Sequence, residues 1–357
     1  MNHDINVKKM RINCFRQSKT SGEFMLQMRV PGGMIAAKYL DTVRHIAETW
    51  GDGNFHFGTR QTFDITGIKY EDIPAVNAYL ETYIEEVEKD LCRVNMDLIA
   101  GESHKRLPQT GYPTIGARNI SGCIGNYHCI CGNINTFELA RKIEPLIFPS
   151  HYHIKINISG CPNDCNKAHL CDFGIIGVAK IDYHPERCIG CSACVRACQR
   201  GATRVLSFQE GNGKIEKDPC CCVGCGECVR ACPTGAWTRR EHPLYRVILG
   251  GRTGRQTPRT GKIFLNWASE DVILNVLNNW QKFSAWVMDY KPEYLHGGHL
   301  IDRAGYKKFK ELMLKDVELN PECLVAEDIF WHETEYRSNF NVKPLNMHHT
   351  AGPQPPM

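Results

Sequence analysis

Eight cysteines stand in two runs of identical spacing, Cys188-x2-Cys191-x2-Cys194-x3-Cys198 and Cys222-x2-Cys225-x2-Cys228-x3-Cys232, the second followed by Pro233. Thiolates so spaced hold paired [4Fe-4S] clusters in which the fourth cysteine of each run ligates the cluster of the other. Crossed ligation assigns Cys188, Cys191, Cys194 and Cys232 to one cluster, and Cys222, Cys225, Cys228 and Cys198 to the second. Among the neighbours Cys220, Cys221 and Cys222, only Cys222 completes a run. The first copy carries Gln199 where the second has its proline, and loses no ligand. Zinc knuckles also use C-x2-C pairs, but two full four-cysteine runs favour clusters. Such a unit relays electrons, and most of the chain is left for another task.

A second group of thiols precedes it. Cys123-x5-Cys129 is followed by Cys161-Pro162-Asn163-Asp164-Cys165. Proline after Cys161 suits the first turn of a helix, which would set Cys161 and Cys165 one turn apart on one face. Two such pairs can converge on one cubane cluster. The segment leading in, residues 152–158, alternates as a strand, with Ile154, Ile156 and Ile158 to one side and His153, Lys155 and Asn157 to the other. A lysine therefore arrives on a polar face close to the metal, with His153 beside it.

This pairing of Cys123-x5-Cys129 with Cys161-x3-Cys165 resembles the signature of the sirohaem-dependent sulfite and nitrite reductases. The resemblance implies a [4Fe-4S] cluster on Cys123, Cys129, Cys161 and Cys165, with the Cys165 thiolate bridging to the sirohaem iron. Gly58-Thr59-Arg60-Gln61-Thr62-Phe63 resembles a stretch carrying a substrate-binding arginine, Arg118-Asn119 a second arginine motif, and Leu249-Gly250-Gly251-Arg252-Thr253-Gly254-Arg255 a sirohaem-contacting loop. Gly250, Gly251, Arg252 and Arg255 are thereby expected to touch the cofactor. The likeness extends over nearly the whole chain, which has one half of the duplicated core of the long assimilatory enzymes, and is greatest to the anaerobic sulfite reductases. It implies three [4Fe-4S] clusters and one sirohaem, sulfite as substrate, sulfide as product, and electrons from an NADH-oxidising flavin subunit and a further iron–sulfur subunit. A homo-oligomer would restore the missing half.

The residue chemistry agrees with an oxyanion substrate. Arginine offers a planar, permanently charged fork for two oxygens, which makes Arg60 and Arg118 the anion-binding candidates. Lysine can donate protons to departing oxygens, and Lys155, then Lys167, are the candidates. Arg252 and Arg255 suit the carboxylates of sirohaem, against the alternative of a solvated glycine turn. Nitrite, reduced to ammonia, is the alternative substrate, and a non-catalytic three-cluster electron carrier is the alternative class. Cys14, Cys92 and Cys323 stand alone and read as inert thiols, while Cys131, Cys171, Cys220 and Cys221 have no assigned role.

The elements that must position these groups are legible in outline. A strand over residues 24–30 ends at Pro31-Gly32-Gly33, and a helix over 34–50 buries Leu40, Val43, Ala47 and Trp50. Short strands at 55–57 and 61–65 precede a helix whose buried stripe is Ile73, Val76, Leu80, Ile84, Val87 and Leu91. This order predicts a ferredoxin-like sandwich. The fold class is α+β in three units: a ferredoxin-like half-domain over 1–100, a sirohaem/[4Fe-4S] α/β domain over 101–180 and 241–335, and an inserted bacterial two-[4Fe-4S] ferredoxin domain over 181–240. A long helix is expected near 270–288, and 336–357 form a tail.

Composition sets the limits. With 43 basic and 39 acidic residues the formal charge is +4, which gives no mandate for nucleic acid. The 19 cysteines are far beyond what core packing needs. The N-terminus has no apolar signal region and no stretch of 18 consecutive apolar residues occurs, so a cytoplasmic protein without membrane insertion is expected. There clustered thiols serve metals rather than disulfides.

Overall fold

The computed structural model describes residues 14–95, 116–148, 150–200, 203–209, 211–218, 221–254, 258–291 and 295–331. Arg255, Cys220 and the expected tail lie outside them.

The first unit is a four-stranded antiparallel sheet in the spatial order Phe15–Gln17, Glu23–Met28, Phe63–Lys69, Phe55–Phe57. Along Glu23–Met28 the period-two pattern turns Phe24, Leu26 and Met28 inward. The first helix runs over Tyr39–Thr49, later than the predicted start, because the chain first turns through Pro31–Gly33, where Gly32 has φ 77°. Its buried stripe is Val43, Ile46 and Ala47, whereas Leu40 is 46% exposed and Trp50 only partly covered. The second helix is broken into Ile73–Tyr79, Glu81–Tyr83 and a π-helical stretch Ile84–Leu91. A π turn bonds i to i+5, as Cys92 N to Val87 O at 3.1 Å does here, and retards the apolar stripe. Leu91 is consequently 41% exposed, and Glu88 takes the buried place.

The second unit is a six-stranded mixed sheet, ordered Leu324–Val325, Lys262–Ala268, Leu244–Leu249, Phe173–Val178, Ile156–Ser159, Ser121–Gly122. The last three strands run parallel and the others antiparallel. Phe173–Val178 and Leu244–Leu249 are buried at every position, as strands covered on both faces must be. Helices Thr136–Ile147 and Glu270–Val287 pack together against the sheet, the latter capped by Ser269 Oγ accepting from Val272 N. On the Ile176, Val178 and Ile248 side a small apolar cluster includes Trp267.

The two units are joined by a buried ionic knot. Arg29 donates through Nε to Glu144 Oε1 at 2.8 Å and through Nη1 to the Ala117 carbonyl at 2.8 Å, and lies over the Phe148 ring. Glu88 approaches its Nε at 4.0 Å. Burial, then the Glu144 charge, push the Glu88 carboxyl upward against the pull of Arg29.

Residues 181–240 leave the sheet as a separate insertion. Ile181–Tyr183 pairs antiparallel with Trp237–Arg239, and the Tyr183 and Trp237 rings stack at 4.5 Å. Inside this gate lie helices Ala193–Arg200 and Glu227–Ala231 and the hairpin Leu206–Gln209/Lys214–Lys217. Its core, including Val195, Val205, Ile215 and Trp237, is separate from that of the sheet. Among the described residues no helix is long and apolar enough to cross a membrane.

Candidate active site and metal centres

Two strands deliver the candidate thiols Cys123 and Cys161. Ser121–Gly122 runs into Cys123, whose N–H donates to the Ile158 carbonyl at 3.1 Å, and the short helix Gly125–His128 ends at Cys129. The neighbouring strand Ile156–Ser159 runs into Gly160 and Cys161. The expected helix between Cys161 and Cys165 does not form. Two successive turns replace it, with Asp164 N donating to Cys161 O at 3.1 Å and Lys167 N to Asp164 O at 2.9 Å, and positive φ at Asp164 and Lys167. Asp164 holds this shape by accepting from Ser159 Oγ and Ala168 N, both at 2.7 Å, and by pairing with His169 Nδ1. Burial alone would raise its carboxyl, but these hydrogen bonds keep it below the usual range.

The thiols sit in a cradle cut to backbone dimensions. Gly160 N donates to Cys123 Sγ at 3.0 Å. A Cβ on Gly160 would lie 2.8 Å from Gly125 Cα, and one on Gly132 2.3 Å from Asn126 N, so these loops approach as only glycine allows. Cys161 is buried, which pushes its thiol up to about 11, and it lies within electrostatic reach of Cys131, Cys123 and Cys165. Cys165 is exposed. Cys123, Cys161 and Cys165 lie together, Cys129 is reached from Cys161 by way of Cys131, and thiols with an amide N–H on sulfur fit an iron–sulfur cluster, because metal ionises even a buried thiol and N–H···S bonds tune its potential.

Beside this cradle a cleft of about 350 Å³ is lined by Arg60, Arg118, Asn119 and Lys155 together with Gln27, Thr59, Thr62 and Asp64. Three of the four candidate catalytic cations are thus brought together. Lys167 does not line it, and sits at the left-handed entrance to the turn Ala168–Leu170. Arg60 is braced as much as presented: Nε donates to Asn119 O at 3.0 Å, Nη2 to Ile156 O at 2.6 Å and Asn157 Oδ1 at 3.0 Å, and Nη1 approaches Cys171 Sγ at 3.7 Å. These acceptors are carbonyl, amide and thiol atoms rather than carboxylates, so they leave the positive charge of Arg60 unneutralised.

The expected single strand over 152–158 is two, Ser150–Ile154 and Ile156–Ser159, interrupted at Lys155. His153 is not on a solvated face but buried beside Asp172, Nε2 to Oδ2 at 3.5 Å, with His296 on the other carboxylate oxygen at 3.1 Å. Burial lowers His153 to about 3, keeping it neutral, with Arg118 and Lys155 adding to the effect. Asp172 also accepts from Lys155 N at 3.0 Å and Gly297 N at 2.9 Å, so it fixes the backbone from which Lys155 projects. No local pattern marks Asp172 and His296: they are far apart in the chain and belong to no motif.

The glycine-rich loop packs against the segment from His169 to Asp172. A Cβ on Gly251 would stand 2.2 Å from His169 O, and Gly250 N donates to Asp172 O at 2.9 Å, so the turn lies on the segment that follows Cys165. Arg252 contacts His299. Arg259, missed in the sequence, anchors the loop through Gly250 O at 3.1 Å and Asp302 at 3.0 Å.

In the insertion Cys194 lies within electrostatic reach of Cys232, and Cys225 of Cys222 and Cys198. Cys228 lies within electrostatic reach of Cys225 and Cys222, and also of Cys194, so the two runs interleave. Amides again point at sulfur, Val205 N to Cys198 at 3.3 Å and Ala236 N to Cys232 at 3.2 Å. Burial raises Cys228 to about 12. Of the unassigned thiols, Cys14 and Cys92 are buried in the half-domain core, Cys323 is partly covered, Cys171 meets Arg60, and Cys131 meets Arg230.

Comparison with known proteins places this arrangement. Residues 115–320 match the family described as nitrite and sulphite reductase 4Fe-4S domain, and residues 16–83 the nitrite/sulfite reductase ferredoxin-like half domain. The chain is 49% identical over 345 residues to one of the subunits of the anaerobic sulfite reductase of Salmonella typhimurium, covering 96% of this chain and 99% of that one. It is 31% identical over 310 residues to the coenzyme F420-dependent sulfite reductase of Methanocaldococcus jannaschii, covering 84% of this chain and 44% of that one. Its fold is similar to that of dissimilatory sulfite reductase I, with a TM-score of 0.57 at 16% identity over 88% of this chain and 74% of that one. With matches spanning both the half-domain and the cluster domain, and with a relative 49% identical over nearly its whole length, the chain belongs to the nitrite and sulphite reductase family.

Proposed function

We propose that this chain catalyses the six-electron reduction of sulfite to sulfide, and that residues 181–240 are a ferredoxin module feeding its catalytic centre. The observation that carries the reading is the convergence of Arg60, Arg118 and Lys155 on one cleft beside the Cys123, Cys129, Cys161 and Cys165 loops. Cys123, Cys129, Cys161 and Cys165 would hold a [4Fe-4S] cluster, Cys165 sharing its sulfur with sirohaem, and Gly250, Gly251, Arg252 and Arg255 would meet the macrocycle. When bound, sirohaem coupled to a cluster would supply electrons one at a time and a metal to polarise the anion.

The chain's own residues do the rest. Arg60 and Arg118 hold the oxyanion by charge and by paired N–H donors. Lys155, fixed through its backbone by Asp172, presents an ammonium toward the departing oxygens, and Lys167 is the second candidate. Neutral His153 adds no charge that would hold the lysine back. The two crossed cysteine sets would hold two further clusters, three in all, and electrons would come from partner subunits in the cytoplasm, one of them NADH-oxidising.

The test is an anaerobic absorption spectrum and acid–acetone extract of the purified protein, followed by viologen-linked turnover of sulfite and nitrite. A sirohaem band, about thirteen irons per chain, twelve in three [4Fe-4S] clusters and one in sirohaem, and sulfite turnover exceeding nitrite turnover are expected. Protein loaded with iron but lacking a tetrapyrrole would eliminate the enzymatic reading.

A further inference from the structure

The two cysteine sets of the insertion have different surroundings. Gly224, between Cys222 and Cys225, is pressed onto the main sheet: its carbonyl accepts from Ala179 N at 2.8 Å and from Asn133 Nδ2 at 3.2 Å, and a Cβ there would meet Trp267 at 2.9 Å. Asn133 closes the loop that starts at Cys129. Arg239 Nη1 reaches the Gly132 carbonyl of that loop at 3.4 Å. Helix Glu227–Ala231 carries both Cys228 and Arg230, and Arg230 Nη1 donates to Cys131 Sγ at 2.9 Å and to Glu227 Oε1 at 2.7 Å. Cys131 in turn lies within electrostatic reach of Cys129 and Cys161. The other set faces outward. Cys191 is exposed, Ile189 beside it is 69% exposed, and the Cys188 carbonyl is held by Lys214 Nζ at 3.1 Å, a residue of the insertion itself.

We infer that the set Cys198, Cys222, Cys225 and Cys228 is the output side of the module, facing the catalytic thiols across the Arg230–Cys131 contact, and that Cys188, Cys191, Cys194 and Cys232 form its input side. The inference rests on the ferredoxin-module reading above. Each transfer oxidises the output set by one electron and reduces the catalytic centre by one, and the input set restores that electron from a reduced donor protein. Arg230 is a positioning residue: it stands on the helix that carries Cys228, touches Cys131 and is held by Glu227, and a cation at this contact favours the reduced, more negative forms of the metal-thiolate sets near it.

The test is anaerobic redox titration of the holoenzyme with viologen mediators, read by EPR. Cys191→Ser marks the input signal, either by altering it or, where that cluster is lost, by removing it. The unmarked module signal is expected to relax faster, through magnetic coupling to the catalytic centre, and to shift to lower potential in Arg230→Met while the marked signal stays in place. Faster relaxation of the marked signal, or an Arg230→Met protein in which neither module signal nor the catalytic signal shifts, overturns the order. A wild-type holoenzyme with fewer than two module signals overturns the ferredoxin-module reading itself, which separates that failure from a wrong order.

Discussion

Replacing Arg60 with Met should disturb the framework of the site as well as anion binding. The guanidinium spans three buried or half-buried oxygens, the carbonyls of Asn119 and Ile156 and the Oδ1 of Asn157. Asn157 Oδ1 keeps a second donor, Ser121 Oγ at 2.6 Å, so the loss falls mainly on the two carbonyls. A hydrogen bond to a charged group contributes about 1.5–3 kcal/mol, which puts the loss of two at about 3–6 kcal/mol, reduced by whatever water reaches the cleft. For a chain of this size about 1 kcal/mol moves the melting temperature by roughly 2–4 °C or less, so a fall of about 5–10 °C is expected. Arg60→Lys, which keeps the charge but not the fork, should recover part of the stability and little of the sulfite affinity. Thermal melts of the anaerobic holoenzyme alongside sulfite KM and kcat make the measurement. If Arg60→Met melts within a degree of wild type while KM rises, the guanidinium serves the anion alone and the bracing argument is refuted.

Two further outcomes follow from packing and charge. Glu88 has its folded pKa raised, first by burial and then by Glu144, above the unfolded value of 4.5 to about 8. The folded state therefore binds the proton more tightly, so the associated stability is fully present below about pH 4.5 and is lost as pH rises toward 8. Denaturation midpoints should fall across that window, and Glu88→Gln should flatten the fall; an unchanged slope would show that Glu88 is not the titrating group. Gly160→Ala drives a methyl to within 2.8 Å of Gly125 Cα, an overpacking cost of about 1–3 kcal/mol. Iron analysis should then show loss from the catalytic set with the insertion's content retained, and full iron content would mean that the cradle yields.

The thiol spacings carried most of what could be read from the chain. Crossed neighbours such as Cys194 with Cys232 follow from ligand number and spacing, which are local properties of the sequence. Ile181–Tyr183 and Trp237–Arg239, which pair antiparallel, flank the cysteine-rich block that stands out in the sequence. What local pattern missed were effects with long-range causes. The π-helical stretch that buries Glu88 and exposes Leu91 answers to Arg29, which the sheet supplies. The turns between Cys161 and Cys165 replace a helix because Asp164 bonds to Ser159, Ala168 and His169 in a way that competes with helical hydrogen bonds. The Asp172–His296 pair joins residues separated by most of the second unit, and Arg60 reads as an anion fork until its protein acceptors are seen.

The point at which the insertion leaves the main sheet has an architectural consequence. Val178 and Leu244 are directly paired across the two central strands, so the chain departs and returns at facing positions. Such residues lie about 5 Å apart, a gap that a tight hairpin would span. The host's register is therefore indifferent to what hangs between those two residues: the socket stays the same whether it carries a folded insertion or a bare turn.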